Sequence, residues 1–274
     1  MASLIEQCAL CLHVKELRHS HLLPAGVWRL SRDPSRRVDP NPVVVKTGKA
    51  FTTSRQVSAS LLCGDCENRF SKNGERYVLS QCARPNGQFL LREALEIATS
   101  VIQDGELRVY DASAVLGSAR EQYLYFAASV FWRASVRSWS FGGQRLQALN
   151  FGAACQEEFR QYLYGGDSGF PSKARLFVHV SSDPRIDMTS VFPCAFRMES
   201  AWRYKFYIPG ILFILFLGAD VPEKYDALAL NGEAGSFIWL CPWENDSLFR
   251  GFDKRMRQAV RSHGLARRGG RMAG

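Results

Sequence analysis

The spacing of apolar residues changes along the chain and predicts a helical region followed by a region of strands. In residues 88–164, apolar positions recur every three or four residues, which predicts helices over 88–102, 118–139 and 153–163. From residue 174 the period changes to two, which predicts five strands in a mostly antiparallel sheet packed against the helices. The strand segments are ARLFVHV, SVFPCAFRM, WRYKFYI, ILFILFLG and SFIWLCPW.

The helical region carries its own start and stop signals. Ser118, with Glu121 three residues later, predicts a capping box at the start of the longest helix, and Gly165-Gly166 predicts the end of the third. Trp132 and Trp139 lie close to two arginines of that longest helix, Arg133 and Arg137, a mixture that can stack nucleic-acid bases. We interpret the segment instead as a packed helix whose arginines reach solvent at its edge.

The first 80 residues follow a different pattern of short elements. A short strand is predicted around residues 15–21, ending at Pro24, and a second in VVVKTG at 43–48. A polar helix is predicted to start beside Cys66, and Asn73-Gly74 is predicted to interrupt or end it. The chain therefore divides into a module at 1–80, a body of unassigned role at 81–252 and a basic tail at 253–274.

Charge follows the same division. The net charge is +9, with 12 Lys/Arg against 7 Asp/Glu in residues 1–80, 16 against 18 in 81–252, and 7 against 1 in 253–274. A basic surplus attracts polyanions such as nucleic acid, although it also serves solubility alone. The tail is predicted to be a frayed helix followed by disorder.

The N-terminus and the most apolar run bear on location. Residues 1–8 contain Glu6 and no apolar core, unlike a signal peptide. The run at 208–218 is about half the ~20 residues that a membrane-spanning helix needs. These features predict a soluble, cytoplasmic protein without a membrane partner. Cysteines stay reduced in the cytoplasm, so clustered cysteines there indicate metal ligands rather than disulfides.

Two cysteine pairs supply the strongest chemical signal. Cys8 and Cys11 form one C-x2-C pair, and Cys63 and Cys66 form another. Each pair presents two thiolates from one tight turn, and two such turns complete the tetrahedron that a structural Zn²⁺ prefers. The alternative is two unrelated turns with free thiols. The other cysteines are interpreted as small buried residues: Cys82, Cys155, Cys194 and Cys241.

The segments CALC, SHLLP and LLCGDCENRF resemble the HNH (His-Asn-His) or ββα-metal endonucleases, in the subgroup whose fold is pinned by a four-cysteine zinc. The resemblance covers residues 8–77, about a quarter of the chain. It implies an α+β protein whose N-terminal zinc-pinned treble-clef (ββα-metal-like) module precedes a helical segment and a mostly antiparallel sheet. It also implies a hydrolase of DNA phosphodiester bonds, of a kind common in bacterial defence or mobile elements.

The same resemblance assigns roles to residues. His21 matches the general base that takes a proton from water, with Pro24 in the matching place of the motif. Glu67 and Ser71 match the two helical ligands of a catalytic Mg²⁺ or Mn²⁺, and carboxylate oxygen suits such hard cations. Ser20 stands where the family has an acidic or His ligand, so the chain departs from the pattern there.

Substitutes for the missing parts lie nearby in the sequence. Glu75 is a candidate for a further acidic group, if the chain bends back at Gly74, and His19 is another, two residues before His21 on the same strand face. Gln56 is the most plausible replacement for the motif's Asn, ahead of Asn41 and Asn68. The basic loop is a candidate for phosphate contacts through Arg29, Arg32, Arg36 and Arg37.

Two hypotheses of different class follow. The first is an HNH-like metal-dependent endonuclease acting on DNA rather than RNA. The second is a non-catalytic module in which zinc holds a platform for nucleic acid or protein, with His21 and Glu67 structural. A third, weaker hypothesis is an enzyme whose site lies in the C-terminal body, where no motif indicates a chemistry.

Overall fold

The computed structural model places the N-terminal strands and helices around the two cysteine pairs. It describes residues 4–33, 35, 39–46, 49–165, 169–198, 201–218, 226–233, 235–242, 250–251, 254–255 and 257–258. The first elements are β1 Ile5–Gln7, β2 Val14–His21, α1 Ala25–Leu30, β3 Val43–Lys46, β4 Lys49–Thr52, β5 Ser58–Cys63 and α2 Gly64–Phe70. Strands β1, β2 and β5 form a three-stranded antiparallel sheet with β2 in the middle.

The β2–β5 pairing positions the second cysteine pair and the histidine. Leu17 pairs with Cys63 at one end, and His21 pairs with Ser58 at the other. The register shifts by one residue between Arg18 and His19, so the strand pair carries a β-bulge at its centre. Because α2 follows β5 directly, the order strand, strand, helix brings the start of α2 beside the end of β5.

The expectation that Asn73-Gly74 interrupts or ends the helix is met only in part, because the α-helical pattern is interrupted there but the helix does not end. A π-helical turn at Ser71–Glu75 joins α2 to α3, which spans Arg76–Gln81. A Cβ added at Gly74 would lie 2.9 Å from the Gln122 carbonyl oxygen. Glycine is therefore required for close packing against a neighbouring helix, not for ending this one.

The remaining elements build the body. They are α4 Leu90–Ile97, β6 Ile102–Asp104, β7 Leu107–Asp111, α5 Ala112–Leu116, α6 Arg120–Val136, β8 Trp139–Phe141, β9 Gln144–Leu146, α7 Ala153–Tyr164, β10 Ala174–Ser181, β11 Val191–Arg197, β12 Trp202–Ile208, β13 Ile211–Leu217 and β14 Phe237–Cys241. A helix is present in each of the three predicted segments, but α4 ends at Ile97 and Ile102 begins a strand, while α6 ends at Val136 and Trp139 begins another. Helix α7 ends at Gly165 in the left-handed region, as expected, whereas Ser118 does not cap α6, because a 3₁₀ turn at Gly117–Ala119 precedes it.

Helix α6 lies at the centre of the molecule, between the cysteine-bearing module and the sheet. Thirteen of its seventeen residues are buried, so it is covered on all sides rather than on one stripe. Trp132 packs edge-on against Phe70 of α2, and Phe126 packs against Phe213 of β13. One continuous cluster of buried side chains therefore includes both the module and the body. The segment boundary at residue 80 stays a sequence prediction.

The five predicted strands are present in a seven-stranded, mostly antiparallel sheet of order β11-β12-β13-β10-β14-β7-β6. Only the β10–β14 pair is parallel among its described pairings. The expectation that 88–164 is mainly helical misses the β6–β7 hairpin at the sheet edge. Asp104-Gly105 is a hairpin signal, and Gly105 has a φ of 57°.

The structure describes only part of the basic tail, and the finding on membrane-spanning helices covers the described residues alone. Most of the tail at 253–274 lies outside the described residues; 254–255 and 257–258 are helical. In the part of the chain that is described, no helix combines the length and the apolar content needed to cross a bilayer.

Candidate metal centre and adjoining cleft

The four paired cysteines converge on one point. Cys8 and Cys11 lie in the turn between β1 and β2, Cys63 ends β5, and Cys66 lies in the first turn of α2. Their sulfur atoms all lie within 4.8 Å of one another. Zn–S bonds of about 2.3 Å in a tetrahedron require sulfurs about 3.8 Å apart. The Cys11 and Cys63 Sγ atoms are 3.9 Å apart, so the set fits a zinc ion.

Backbone hydrogen bonds hold the first pair in place. The Cys8 N–H donates to the His13 carbonyl oxygen at 2.9 Å, and Leu12 adopts a φ of 62°, which closes the turn tightly. The Cys63 N–H donates to the Cys8 sulfur at 3.3 Å, which favours the thiolate. A hydrogen bond from Cys66 lowers the pKa of Cys8 to about 4, whereas the same contact raises the pKa of Cys66. A thiolate already favoured at Cys8 suits a cation.

His21 lies at the end of β2, where it is half-buried. Burial lowers the pKa of His21 below its usual 6.5, and the positive charge of Arg133 lowers it further. The negative charge of Glu67 opposes both effects, so this carboxylate is near enough to act on the ring. The imidazole is therefore neutral at pH 7 and able to accept a proton.

Ser20 and Glu67 form a hydrogen-bonded pair next to the cysteines. Ser20 is fully buried, and its hydroxyl donates a hydrogen bond to the Glu67 carboxylate. The same hydroxyl accepts the Leu62 N–H at 3.1 Å. Ser20 therefore connects β2, β5 and α2 through its hydroxyl.

Glu75 lies at the end of the π-turn and forms an ion pair with Arg133 of α6. The two side chains are 2.9 Å apart, and Arg133 is only 1% exposed. Burial raises the pKa of Glu75, while the Arg133 charge pulls that pKa down. A π-turn uses more residues per turn than an α-helix, which brings Glu75 back toward the face that carries Glu67 and Ser71.

The sequence-based interpretation of Arg133 as a solvent-edge arginine is wrong. Its guanidinium also donates to the His21 carbonyl oxygen at 2.9 Å and to the Ser129 carbonyl oxygen at 3.2 Å, and it lies over the Phe70 ring. Arg137, one turn later, is exposed as expected and donates to the Ser60 carbonyl oxygen. Nothing in the sequence separates the two arginines except that Arg133 falls within the longer apolar run.

The described residues hold one cluster of three or more His, Cys, Asp or Glu side chains with metal-ligand spacing, and it is the cysteine cluster. The side chains of His21, Glu67 and Glu75 do not form a second one. Ser71, the other predicted ion ligand, accepts a hydrogen bond from Arg76 Nε at 3.2 Å. Gln56 is half-buried, and its Oε1 has no hydrogen-bond partner within the described part of the chain.

A cleft of about 430 Å³ opens between α1 and α3, next to the π-turn. Ser71 and Glu75 form part of its wall, and Arg29 of the predicted basic loop lines it. Two further arginines that sequence reasoning did not select also line it, Arg76 and Arg84. Their signal in the sequence is weak, because they are separated from the basic loop by more than thirty residues.

The other predicted nucleic-acid contacts are not gathered in this cleft. Arg32 is exposed just after α1 and is not among the residues that line the cavity. Arg36 and Arg37 lie outside the described residues. Of the four basic-loop arginines, the described cleft therefore includes Arg29.

No family model, curated protein or solved structure matches this chain significantly. The likeness to HNH endonucleases therefore rests on the residues and their arrangement alone.

Proposed function

We propose that the chain is an HNH-like, metal-dependent endonuclease that hydrolyses DNA phosphodiester bonds, built on a zinc-pinned treble-clef module. The observation that carries the proposal is the placement of His21. A half-buried imidazole with a lowered pKa stands at the end of β2, within the electrostatic reach of a carboxylate on the helix that follows β5. Strand, strand and helix are held at one point by the four sulfurs.

The roles follow from these positions. Neutral His21 accepts a proton from water, which then attacks the phosphorus. The Arg133 guanidinium donates to the His21 carbonyl oxygen. This bond holds the end of β2 and so fixes the backbone from which the His21 imidazole extends. Glu67, Ser71 and Glu75 would hold the ion through oxygen atoms, which requires them to turn from their present partners Ser20, Arg76 and Arg133. Gln56 keeps the role given by the resemblance, that of the residue orienting the base, and its Oε1 is unpartnered within the described part of the chain. When bound, Mg²⁺ or Mn²⁺ stabilises the charge on the phosphate and the leaving oxygen.

A second candidate function is a non-catalytic, zinc-stabilised module that binds nucleic acid or protein. Two contacts favour it. Glu67 already accepts the Ser20 hydroxyl, and Glu75 is already paired with Arg133, so both carboxylates have internal partners. In this reading the acids stabilise the module and ligate no second ion.

Plasmid nicking separates the two candidates. Supercoiled DNA is incubated with zinc-loaded protein and added Mg²⁺ or Mn²⁺, comparing wild type with His21→Ala and Glu67→Ala. The nuclease proposal expects cleavage by wild type and loss of roughly 10²-fold or more in each variant. His13→Ala is the matched control, since His13 is exposed and its side chain makes no described contact. If wild type and both variants bind the plasmid equally and none of them cuts it, the second candidate is supported instead.

A further inference from the structure

The cleft between α1 and α3 concentrates positive charge from separate elements. Arg29 comes from the last turn of α1, Arg76 begins α3, and Arg84 follows its end. The two helices meet closely at the base, because a Cβ added at Gly26 would overlap the Leu79 side chain. Arg29 and Arg76 are therefore carried on packed helices, and Arg84, just after α3, is held by its N–H donating to the Gln88 carbonyl oxygen.

These three guanidinium groups have no acidic partner within the described part of the chain. None of them forms an ion pair there, and the one acid of the cleft, Glu75, is paired with Arg133. Arg76 uses Nε on the Ser71 hydroxyl, and Arg84 uses Nη2 on the carbonyl oxygens of Leu79 and Ser80. Each of those contacts orients a guanidinium and leaves further N–H donors for an anion.

The walls indicate which part of a nucleic acid the cleft accepts. The apolar residues that line it are Ala25, Leu30 and Leu79, with no aromatic ring among the described lining residues. Bases are held mainly by stacking on aromatic side chains, whereas phosphates are held by guanidinium groups. The cleft is therefore suited to phosphate oxygens and not to a base.

We propose that this cleft binds the phosphodiester backbone of a nucleic-acid strand through Arg29, Arg76 and Arg84. The inference rests on the proposed function and deepens it, because Glu75 and Ser71 belong both to the cleft and to the proposed ion site. A backbone held there runs alongside the Glu75 carboxylate. Specificity for base sequence does not arise in this cleft, since phosphate contacts carry none.

The test measures binding and its salt dependence, without cleavage. A fluorescent DNA duplex is titrated with zinc-loaded full-length protein by anisotropy at several salt concentrations, with no added Mg²⁺ or Mn²⁺. Each phosphate contact on duplex DNA contributes about 0.9 to the slope of log affinity against log salt. Arg29→Ala and Arg76→Ala are each expected to flatten the slope by about that amount, and to weaken binding roughly 5- to 10-fold near 0.1 M salt.

Arg145→Ala is the matched control. Arg145 is exposed on β9 and, like Arg76, donates to a serine hydroxyl, that of Ser138. Its slope is expected to equal that of wild type. If Arg145→Ala flattens the slope as much as Arg76→Ala, the attraction is diffuse and the proposal is overturned; unchanged slopes in all three variants also overturn it.

Two further arms identify the phosphate source. Inorganic phosphate and a mononucleotide are tested as competitors, and both are expected to displace the duplex only at millimolar concentration. A mononucleotide that competes at micromolar concentration makes the cleft a nucleotide site and overturns the proposal. If the slopes flatten but the plasmid is not cut, the cleft proposal is supported and the nuclease proposal is overturned. If the plasmid is cut but the slopes do not change, the nuclease proposal is supported and the cleft proposal is overturned.

Discussion

The Arg133 guanidinium lies 2.9 Å from the Glu75 carboxylate and joins the central helix of the body to the module that carries the cysteines. The same guanidinium donates to the His21 carbonyl oxygen, so one buried charge holds two residues of the proposed site. The body therefore contributes a residue to the proposed site. It supplies the cation that compensates the buried acid and fixes the end of the strand.

Arg133→Ala is expected to lower the free energy of unfolding by about 3 kcal/mol, because it leaves the largely buried Glu75 carboxylate and the His21 carbonyl oxygen without their partner. Urea unfolding followed by circular dichroism measures the change. Arg137→Ala is the control, since that arginine is exposed and has no acidic partner among the described residues. It donates to the Ser60 and Ser138 carbonyl oxygens and lies over the Trp139 ring, and a loss below about 1 kcal/mol is expected. Equal losses in the two variants would contradict the role of Arg133.

Purified protein refolded with zinc is expected to hold one Zn²⁺ per chain, and Cys66→Ser to hold much less. A structural zinc contributes folding free energy directly, so a strong chelator is expected to lower the melting temperature of wild type. Elemental analysis and thermal melts provide the two readouts. Cys155→Ser is the control, because this half-buried cysteine lies outside the cluster, and its zinc content should equal that of wild type.

Gly74→Ala is expected to destabilise the fold by about 1–3 kcal/mol, because the new methyl group meets the Gln122 carbonyl oxygen and the Phe126 nitrogen, each at 2.9 Å. Gly64→Ala is the matched helical control. Its nearest neighbour would be Arg18 Nε at 3.7 Å, so a small gain, below about 1 kcal/mol, is expected. Losses of the same size at both positions would argue against the close packing of the π-turn on α6.

Local patterns in the sequence were sufficient for the cysteine cluster and for the five strands after residue 174, but not for the β6–β7 and β8–β9 hairpins. Each C-x2-C pair spans four residues, and two such pairs indicate a metal site. The change of period near residue 174 is likewise visible within a few residues of each strand, and it predicted the sheet. The π-turn could not be predicted in this way. Asn73-Gly74 is a common stop signal, and only the approach of α6 makes glycine the residue that lets the helix continue.

Contacts between residues that are far apart in the sequence could not be predicted either. Arg133 lies 58 residues from Glu75 and 112 from His21, and a sequence gives no sign of such a junction without the fold. Ser20 was identified only as a departure from the family's ligand. Its buried hydrogen bonds to Leu62 and Glu67 depend on the register shift in the β2–β5 pair, which no periodicity predicts.

Ser20→Ala tests that junction. The substitution leaves the buried Leu62 N–H without its acceptor and Glu67 without its donor, so a loss of about 1–3 kcal/mol is expected. Ser60→Ala, on the facing strand, has no described side-chain hydrogen bond to lose and is expected to change stability by less than about 0.5 kcal/mol. Urea midpoints of the two variants give the comparison, and a negligible loss for Ser20→Ala would contradict the junction.

The stability of the fold is expected to depend on pH through His21. Because burial lowers the pKa of His21 in the folded protein, the unfolded chain binds this proton first as the pH falls below about 6.5. Wild type should therefore lose stability between pH 6.5 and the lower folded pKa, relative to His21→Gln, and the two should run parallel above pH 7.5. Urea unfolding at half-unit pH steps measures the difference. His13→Gln, which replaces an exposed ring, is the control and should show the same stability as wild type at every pH. If His21→Gln also matches wild type at every pH, the His21 ring is not desolvated and the proposal that it is a neutral base is contradicted.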